Sequence, residues 1–265
     1  MKPRILLPIA LLGLAPLLGA HLDDQDPAQA VAAAFAAEGI ELDLQGGRLS
    51  FPAEVCVRED LLEYVLVSAY GAAHESLFAT GVNPTVLNTA LVTLGAQAGA
   101  NVRWVPKDPQ PSPEEVRDGA PTHDVLPPVG DGYLIYTAWR EGEETYFFRL
   151  EDLITNLRTE RSMRRHAWVY LGSRMVEAED GAQRLAAEME GNLINLSYFR
   201  AGNTLFTAAL EDCVNQTIWL PNAALVPPRG AAVRLVFSKE RLRALPEDME
   251  ASLVDLGTDS AARER

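Results

Sequence analysis

The sequence has few of the residues from which metal centres and redox sites are built. Its 265 residues include only two cysteines and four histidines. Two thiols cannot supply the four ligands of an iron–sulfur cluster, nor by themselves those of a structural zinc site. We therefore predict no iron–sulfur cluster, no metal ion and no other cofactor.

The motifs of the common catalytic classes are also missing. The chain contains no H-E-x-x-H zinc motif, no G-x-S-x-G nucleophile elbow, and neither of the two glycine-rich patterns that bind nucleotide phosphates. The pair Gly46-Gly47 predicts a turn instead. These absences favour a non-catalytic protein and leave open an enzyme of unfamiliar type.

Positive charge is scarce as well. The chain carries 23 Lys plus Arg against 37 Asp plus Glu, a formal net charge of −14. An acidic surface repels phosphate backbones and anionic lipids, so we predict no nucleic-acid partner. Because 48% of the residues are hydrophobic and 23% are charged, the composition is that of a folded globular protein.

Only one long apolar run is present, and it lies at the N-terminus. Lys2 and Arg4 precede the apolar residues 5–18, which is the layout of an export signal over residues 1–20. The run is shorter than the roughly 20 residues of a comfortable membrane span. Cleavage would release the protein into the periplasm or the medium. Since Leu18-Gly19-Ala20 is an imperfect cleavage site, an uncleaved membrane anchor remains the alternative.

Export would expose Cys56 and Cys213 to an oxidising compartment, where two thiols can pair. A disulfide requires Cα atoms within about 7 Å of each other. Their separation along the chain neither supports nor excludes that distance, so a Cys56–Cys213 bridge stays open.

Hydrophobic periodicity predicts many short strands and few helices. Helices are expected from the cap Asp26 to Glu38 and over residues 84–94, and hairpins over 40–51 and 133–150. Seven prolines over residues 106–130 predict an insertion between two strands, with a domain boundary as the alternative. The predicted fold class is α+β, mainly antiparallel β with two or three short helices, in a single domain. Residues 21–46 would form the first helix and strand, 47–240 the domain, and 241–265 a tail that frays after Pro246.

The stretch His74-Glu75-Ser76 is the first candidate site. An imidazole beside a carboxylate suits acid–base chemistry or half of a metal site, with His166 as the potential partner. The structural alternative is that these side chains bind backbone groups at a strand edge.

An arginine cluster is the second candidate. Arg158, Arg161, Arg164 and Arg165, followed by His166, are the main basic concentration of an acidic chain. On a helix, positions 158, 161 and 165 would share a face and could grip a carboxylate or phosphate. The alternative is a solvated surface on which Glu151, Asp152 and Glu160 neutralise the arginines.

Several stretches together resemble the YdjY-domain family of exported bacterial proteins, which has no established activity. The resemblance covers roughly residues 47–238 and rests on residues 52–57 (PAEVCV), Glu63, 74–77 (HESL), 94–95 (LG), 166–173 (HAWVYLGS), 191–194 (GNLI), Ser197, Phe199 and 228–237. It implies one exported domain and brings no catalytic residues. Some members are labelled iron–sulfur proteins, but this chain lacks the necessary cysteines.

Two functional hypotheses follow. The first is a non-catalytic exported domain that binds a small ligand or a protein partner at the cell envelope. The second is a hydrolase or metal-dependent enzyme centred on His74, Glu75 and Ser76, with His166 nearby.

Overall fold

The computed structural model describes residues 27–257. The predicted signal, the cap Asp26 and residues 258–265 lie outside this range. Within it, no helix is both long enough and apolar enough to cross a membrane.

The described chain contains seventeen strands and five α-helices. The helices are α1 (Pro27–Ala37), α2 (Pro84–Thr93), α3 (Pro113–Arg117), α4 (Ala186–Glu190) and α5 (Glu247–Glu250). The strands are β1 (Glu41–Asp43), β2 (Arg48–Val55), β3 (Tyr64–Ser68), β4 (Ser76–Thr80), β5 (Arg103–Pro106), β6 (His123–Leu126), β7 (Gly132–Glu141), β8 (Glu144–Arg149), β9 (Ile154–Asn156), β10 (Arg161–Ser162), β11 (Trp168–Tyr170), β12 (Met175–Glu177), β13 (Gln183–Leu185), β14 (Asn192–Asn195), β15 (Phe206–Thr207), β16 (Trp219–Pro221) and β17 (Ala232–Ser238).

The main sheet closes on itself. Its strands follow the order β2–β17–β7–β11–β15–β14–β3–β4, and β4 pairs again with β2, while β1 and β8 are attached at β2 and β7. Two of the pairings in this ring, β14–β15 and β3–β4, are parallel and the others are antiparallel. Closure removes the free edges that an open sheet would leave unpaired.

The predicted fold class is therefore wrong. The described residues form a largely β structure around a closed, barrel-shaped sheet with five short helices, rather than an α+β fold with two or three. The pairing of Glu54 with Ala79 and of Val55 with Phe78 decides this, because it joins β2 to β4 and completes the ring. Strand patterns do not encode which strands pair over long separations.

Several local predictions are confirmed. The leading helix, the helix after Pro84 and both hairpins lie where their patterns placed them. Asn83 begins α2, because its side-chain oxygen accepts the backbone N–H groups of Thr85 and Val86 at 2.8 and 3.2 Å.

The interior of the closed sheet is apolar. Phe51 stacks on Phe237 with ring centroids 5.4 Å apart, and Tyr133 meets Phe206 edge-on at 5.5 Å. Alternate residues of a strand point to opposite faces, and Leu235 on β17 belongs to this inner core. Val236 is also fully buried but belongs to a second apolar cluster, so something covers the outer face of β17.

Residues 239–257, here called the C-terminal segment, cover that outer face. Leu245 and Met249 are buried against Val236 and its neighbours on β7, Tyr136 and Ala138. The backbone N–H of Leu242 donates to the Tyr136 hydroxyl at 2.8 Å. The prediction of a frayed tail is therefore wrong for residues 247–257, which include α5 and return to β7 at a bridge between Asp255 and Arg140.

The proline-rich stretch forms a small hairpin of its own. Strands β5 and β6 pair, and α3 lies between them with a capping box from Ser112 and Glu115. The strands that flank it, β4 and β7, belong to the same closed sheet. At its root the backbones of residues 99 and 130 cross so closely that a Cβ at Gly99 would lie 2.2 Å from the Val129 oxygen.

Candidate functional site

The four predicted arginines do not share one surface. Residues 154–162 form the β9–β10 hairpin rather than a helix. Arg158 donates to Asn215, whereas Arg161 and Arg164 line a cleft of about 630 Å³ opposite Glu211 and Asp212. Arg165 lines a different cleft.

That second cleft gathers the strongest positive charge among the cavities described. It has a volume of about 720 Å³, and we call it the arginine cleft. Its lining residues are Tyr136, Phe147, Phe148, Arg149, Asp152, Arg165, Arg241, Leu242 and Arg243. The strands β7 and β8, the turn that holds Asp152, and Arg165 after β10 form one side, and the C-terminal segment forms the other.

The four guanidinium groups of the arginine cleft differ in their pairing. Arg165 is neutralised by Asp152, to which it donates from two nitrogens at 2.9 and 2.6 Å. Arg149 is paired with Glu151, whose carboxylate accepts a hydrogen bond from its guanidinium. Arg241 and Arg243 are exposed and make no hydrogen bond or ion pair with the residues that the structure describes. Two cations at the rim are thus available to a ligand.

A buried polar group supports Arg149. Its Nη2 donates to Glu151 Oε1 and to the carbonyl oxygen of His166, both at 2.6 Å. The Glu151 carboxylate is fully buried, and its Oε1 also accepts the His166 backbone N–H at 3.2 Å. Burial raises the pKa of Glu151 although Arg149 lowers it. We call Arg149, Glu151 and His166 the buried triad.

The His166 imidazole is enclosed by protein rather than open to solvent. Its side chain is 8% exposed, its Nδ1 donates to the Arg164 carbonyl oxygen at 3.2 Å, and its ring lies 4.7 Å from that of Trp168. Burial lowers the pKa of His166 to about 4, so the imidazole is neutral at pH 7.

Some polar atoms of the buried triad and of Trp168 have no hydrogen-bond partner within the described part of the protein. Four buried atoms have no protein partner: Arg149 Nε, Glu151 Oε2, His166 Nε2 and Trp168 Nε1. Buried polar atoms of this kind are positions at which an ordered water can bind.

Aromatic rings form the other part of the arginine cleft. Tyr136 and Phe147 stack with centroids 4.8 Å apart and an interplanar angle of 7°. The guanidinium carbon of Arg149 lies 5.4 Å from the centroid of the Tyr136 ring, within cation–π range. The cleft therefore combines cations with flat apolar surface.

The His74 candidate lies elsewhere. His74 lines a polar cleft of about 800 Å³ with Cys56, Arg58 and Arg229 among its other lining residues, and His166 is not one of them. The His74 Nε2 lies 3.6 Å from Glu75 Oε1. Burial together with the Glu75 charge raises the pKa of nearby Glu63.

Ser76 does not join this pair. It is fully buried at the start of β4, and its hydroxyl donates to the Phe78 carbonyl oxygen at 2.8 Å. Among the described residues, no three His, Cys, Asp or Glu side chains are grouped to hold a metal ion.

Cys56 and Cys213 are not bonded to each other in the structure. Cys56 is half-buried beside the His74 cleft, whereas Cys213 is fully buried in the core. Burial raises the pKa of both thiols, which disfavours the reactive thiolate.

Most of the chain matches the model of a known domain family. The model of the YdjY domain matches residues 40–238, which include β7, β8 and the buried triad. The chain belongs to the YdjY domain family. No curated protein and no solved structure matches it. In this YdjY-domain protein, Arg241, Leu242 and Arg243 lie beyond the family match, so the arginine cleft is built across the boundary of the family domain.

Sequence reasoning missed three of the four arginines of the cleft. Arg149 ends a strand, where nothing distinguishes it from a solvent-facing residue. Arg241 and Arg243 had a signal: with Lys239 they place three cations within five residues of an acidic chain. Arg165 alone was anticipated.

Proposed function

We propose that this YdjY-domain protein is an exported, non-catalytic binding domain whose arginine cleft takes an oxyanion ligand. One observation carries the proposal: Arg241 and Arg243 face a cleft with Arg149 and make no ion pair with the described residues.

The chemistry of the cleft favours oxyanions. Guanidinium groups donate paired, parallel N–H bonds that match carboxylate and phosphate oxygens. Among the described residues, the only carboxylate that lines the cleft is Asp152, and Arg165 already engages it. Since the whole chain carries a formal charge of −14, this local excess of cations is what would attract an anion.

A binding role has better support than catalysis. The lining residues of the arginine cleft include no serine, cysteine or histidine, and His166 beneath it is buried and neutral at pH 7. The alternative enzyme centred on His74, Glu75 and Ser76 is weakened because the Ser76 hydroxyl is buried and bonded to backbone. Export rests on the N-terminal pattern of Lys2, Arg4 and the apolar run.

The test is titration calorimetry with inorganic phosphate and with citrate at low ionic strength, where screening is weak. Replacing Arg241→Ala and Arg243→Ala together should weaken binding about tenfold or more, because each charge-assisted hydrogen bond contributes about 1.5–3 kcal/mol. The matched control is Arg103→Ala with Arg117→Ala, which removes the same charge from exposed positions outside the cleft.

The control variant should bind within about twofold of the wild type. The proposal fails if the wild type binds neither probe, or if both double variants lose affinity equally. The second result would mean that net charge, and not the cleft, attracts the anion.

A further inference from the structure

The arginine cleft is larger than a simple oxyanion requires. Its volume of about 720 Å³ falls within the roughly 300–1,000 Å³ of typical sites for small organic molecules. A bare phosphate would occupy a small part of that space. The rest must suit the body of a larger ligand.

Half-buried apolar side chains line the remaining space. Phe147 comes from β8, and Leu242 comes from the C-terminal segment opposite. Phe147 is held in place by its stacking on Tyr136 at 4.8 Å. A flat surface fixed in this way can receive a second ring without reordering.

The C-terminal segment presents charge and apolar surface in alternation. Arg241 and Arg243 are exposed, whereas Leu242 between them is half-buried and its backbone N–H donates to the Tyr136 hydroxyl. This hydrogen bond holds the segment against Tyr136. The cations thus stand at the rim, and the apolar surface lies below them.

We propose that the ligand is an amphipathic anion, namely an aromatic phosphate or carboxylate of low molecular mass. Its charged group contacts Arg241 and Arg243, and its ring lies against Phe147 and Leu242. This inference rests on the proposed function, because it names the class of ligand for the same cleft. Since Leu242 and both rim arginines lie outside residues 40–238, it also makes the C-terminal segment the determinant of specificity.

The experiment compares ligands of equal charge. Titration calorimetry at pH 8 with methyl phosphate and phenyl phosphate, and with acetate and phenylacetate, separates the charged group from the ring. In at least one pair the aromatic member should bind about tenfold more tightly, which corresponds to about 1.4 kcal/mol. Its heat-capacity change on binding should be the more negative, because that is the signature of apolar burial.

Leu242→Ala should reduce the preference for the aromatic member at least threefold while the affinity for its aliphatic counterpart stays constant. Phe147→Leu is the second variant, in case the first one detaches the segment, and thermal unfolding checks that each variant is folded. Val254→Ala is the control, since this exposed residue of the same segment does not line the cleft.

The outcomes separate the two proposals. Equal affinity within both pairs, with loss on Arg241→Ala and Arg243→Ala, overturns the amphipathic ligand and leaves the anion site standing. An aromatic preference that survives in both apolar variants also overturns the inference. Failure of all four probes to bind overturns both.

Discussion

His166 shows how burial changes what a residue can do. In the sequence it is a candidate acid or base, because an unperturbed imidazole titrates near neutrality. In the fold its ring is enclosed beside Trp168 and Glu151, and burial lowers its pKa to about 4. Its backbone, rather than its imidazole, contacts Arg149, whose guanidinium donates to the His166 carbonyl oxygen.

The lowered pKa of His166 makes a prediction about stability and pH. The folded state binds this proton less readily than the unfolded chain, so the contribution is complete above pH 6.5 and is lost as the pH falls toward about 4. The loss is roughly 3 kcal/mol in the free energy of unfolding. His166→Asn should abolish this part of the pH dependence, as measured by urea unfolding at pH 7, 5.5 and 4.5.

His74→Asn is the matched control, because the His74 side chain is 79% exposed and makes no contact with the buried triad. Glu151 acts in the opposite direction. Because its pKa is raised in the folded state, its contribution to the free energy of unfolding grows as the pH falls. If the free energy of unfolding changed with pH in the same way in the wild type and in His166→Asn, this part of the pH dependence would not come from His166.

The C-terminal segment illustrates a limit of pattern analysis. Its acidic composition predicts a tail that frays after Pro246, yet Leu245 and Met249 are buried and, with Leu242, pack on the outer face of β7 and β17. The spacing of these residues does not predict the packing, because only residues 247–250 are helical, and their partner is the outer face of the sheet. The segment brings Arg241 and Arg243 to the arginine cleft.

Detaching the C-terminal segment should therefore weaken the anion site without unfolding the sheet. Met249 is 2% exposed, and Met249→Ser removes an apolar anchor of a kind that contributes about 2–5 kcal/mol. We expect faster hydrogen exchange across residues 240–257, unchanged protection in β2 and β17, and phosphate binding weakened severalfold. Val254→Ser, at a position that is 55% exposed, should have none of these effects. Equal exchange in both variants would show that Met249 does not anchor the segment.

Net charge and compartment are properties of the entire chain. Cleavage after residue 20 would remove Lys2 and Arg4 and shift the formal charge from −14 to about −16. An acidic protein of this kind gains solubility and repels most polyanions. The arginine cleft is then a local exception that a small anion can reach.

Export predicts a mature chain that begins at His21. Intact-mass analysis of the protein from a cell-envelope fraction should find residues 1–20 removed, or else retained with the protein in the membrane fraction as an anchored form. Lys2→Glu with Arg4→Glu should retain it in the cytoplasm, because the signal needs its positive n-region. A full-length wild-type chain in the cytoplasm would refute export.

The features that could be predicted are those with a local physical cause. Asn83 and Pro84 begin a helix through hydrogen bonds and geometry within a few residues, and Gly46-Gly47 turns one strand into the next. The resemblance to the YdjY family rested on short stretches of the same kind, and the family match confirms it.

The closed sheet and the arginine cleft depend instead on contacts between distant parts of the chain. Whether β2 pairs with β4 is decided by how all the strands bury their apolar faces together, and no single strand carries that information. Arg149, Arg165, Arg241 and Arg243 come from separate parts of the chain, and they line one cleft because the C-terminal segment packs beside β7 and β8. Only the packed fold pairs Arg149 with Glu151 and Arg165 with Asp152, and leaves Arg241 and Arg243 for a ligand.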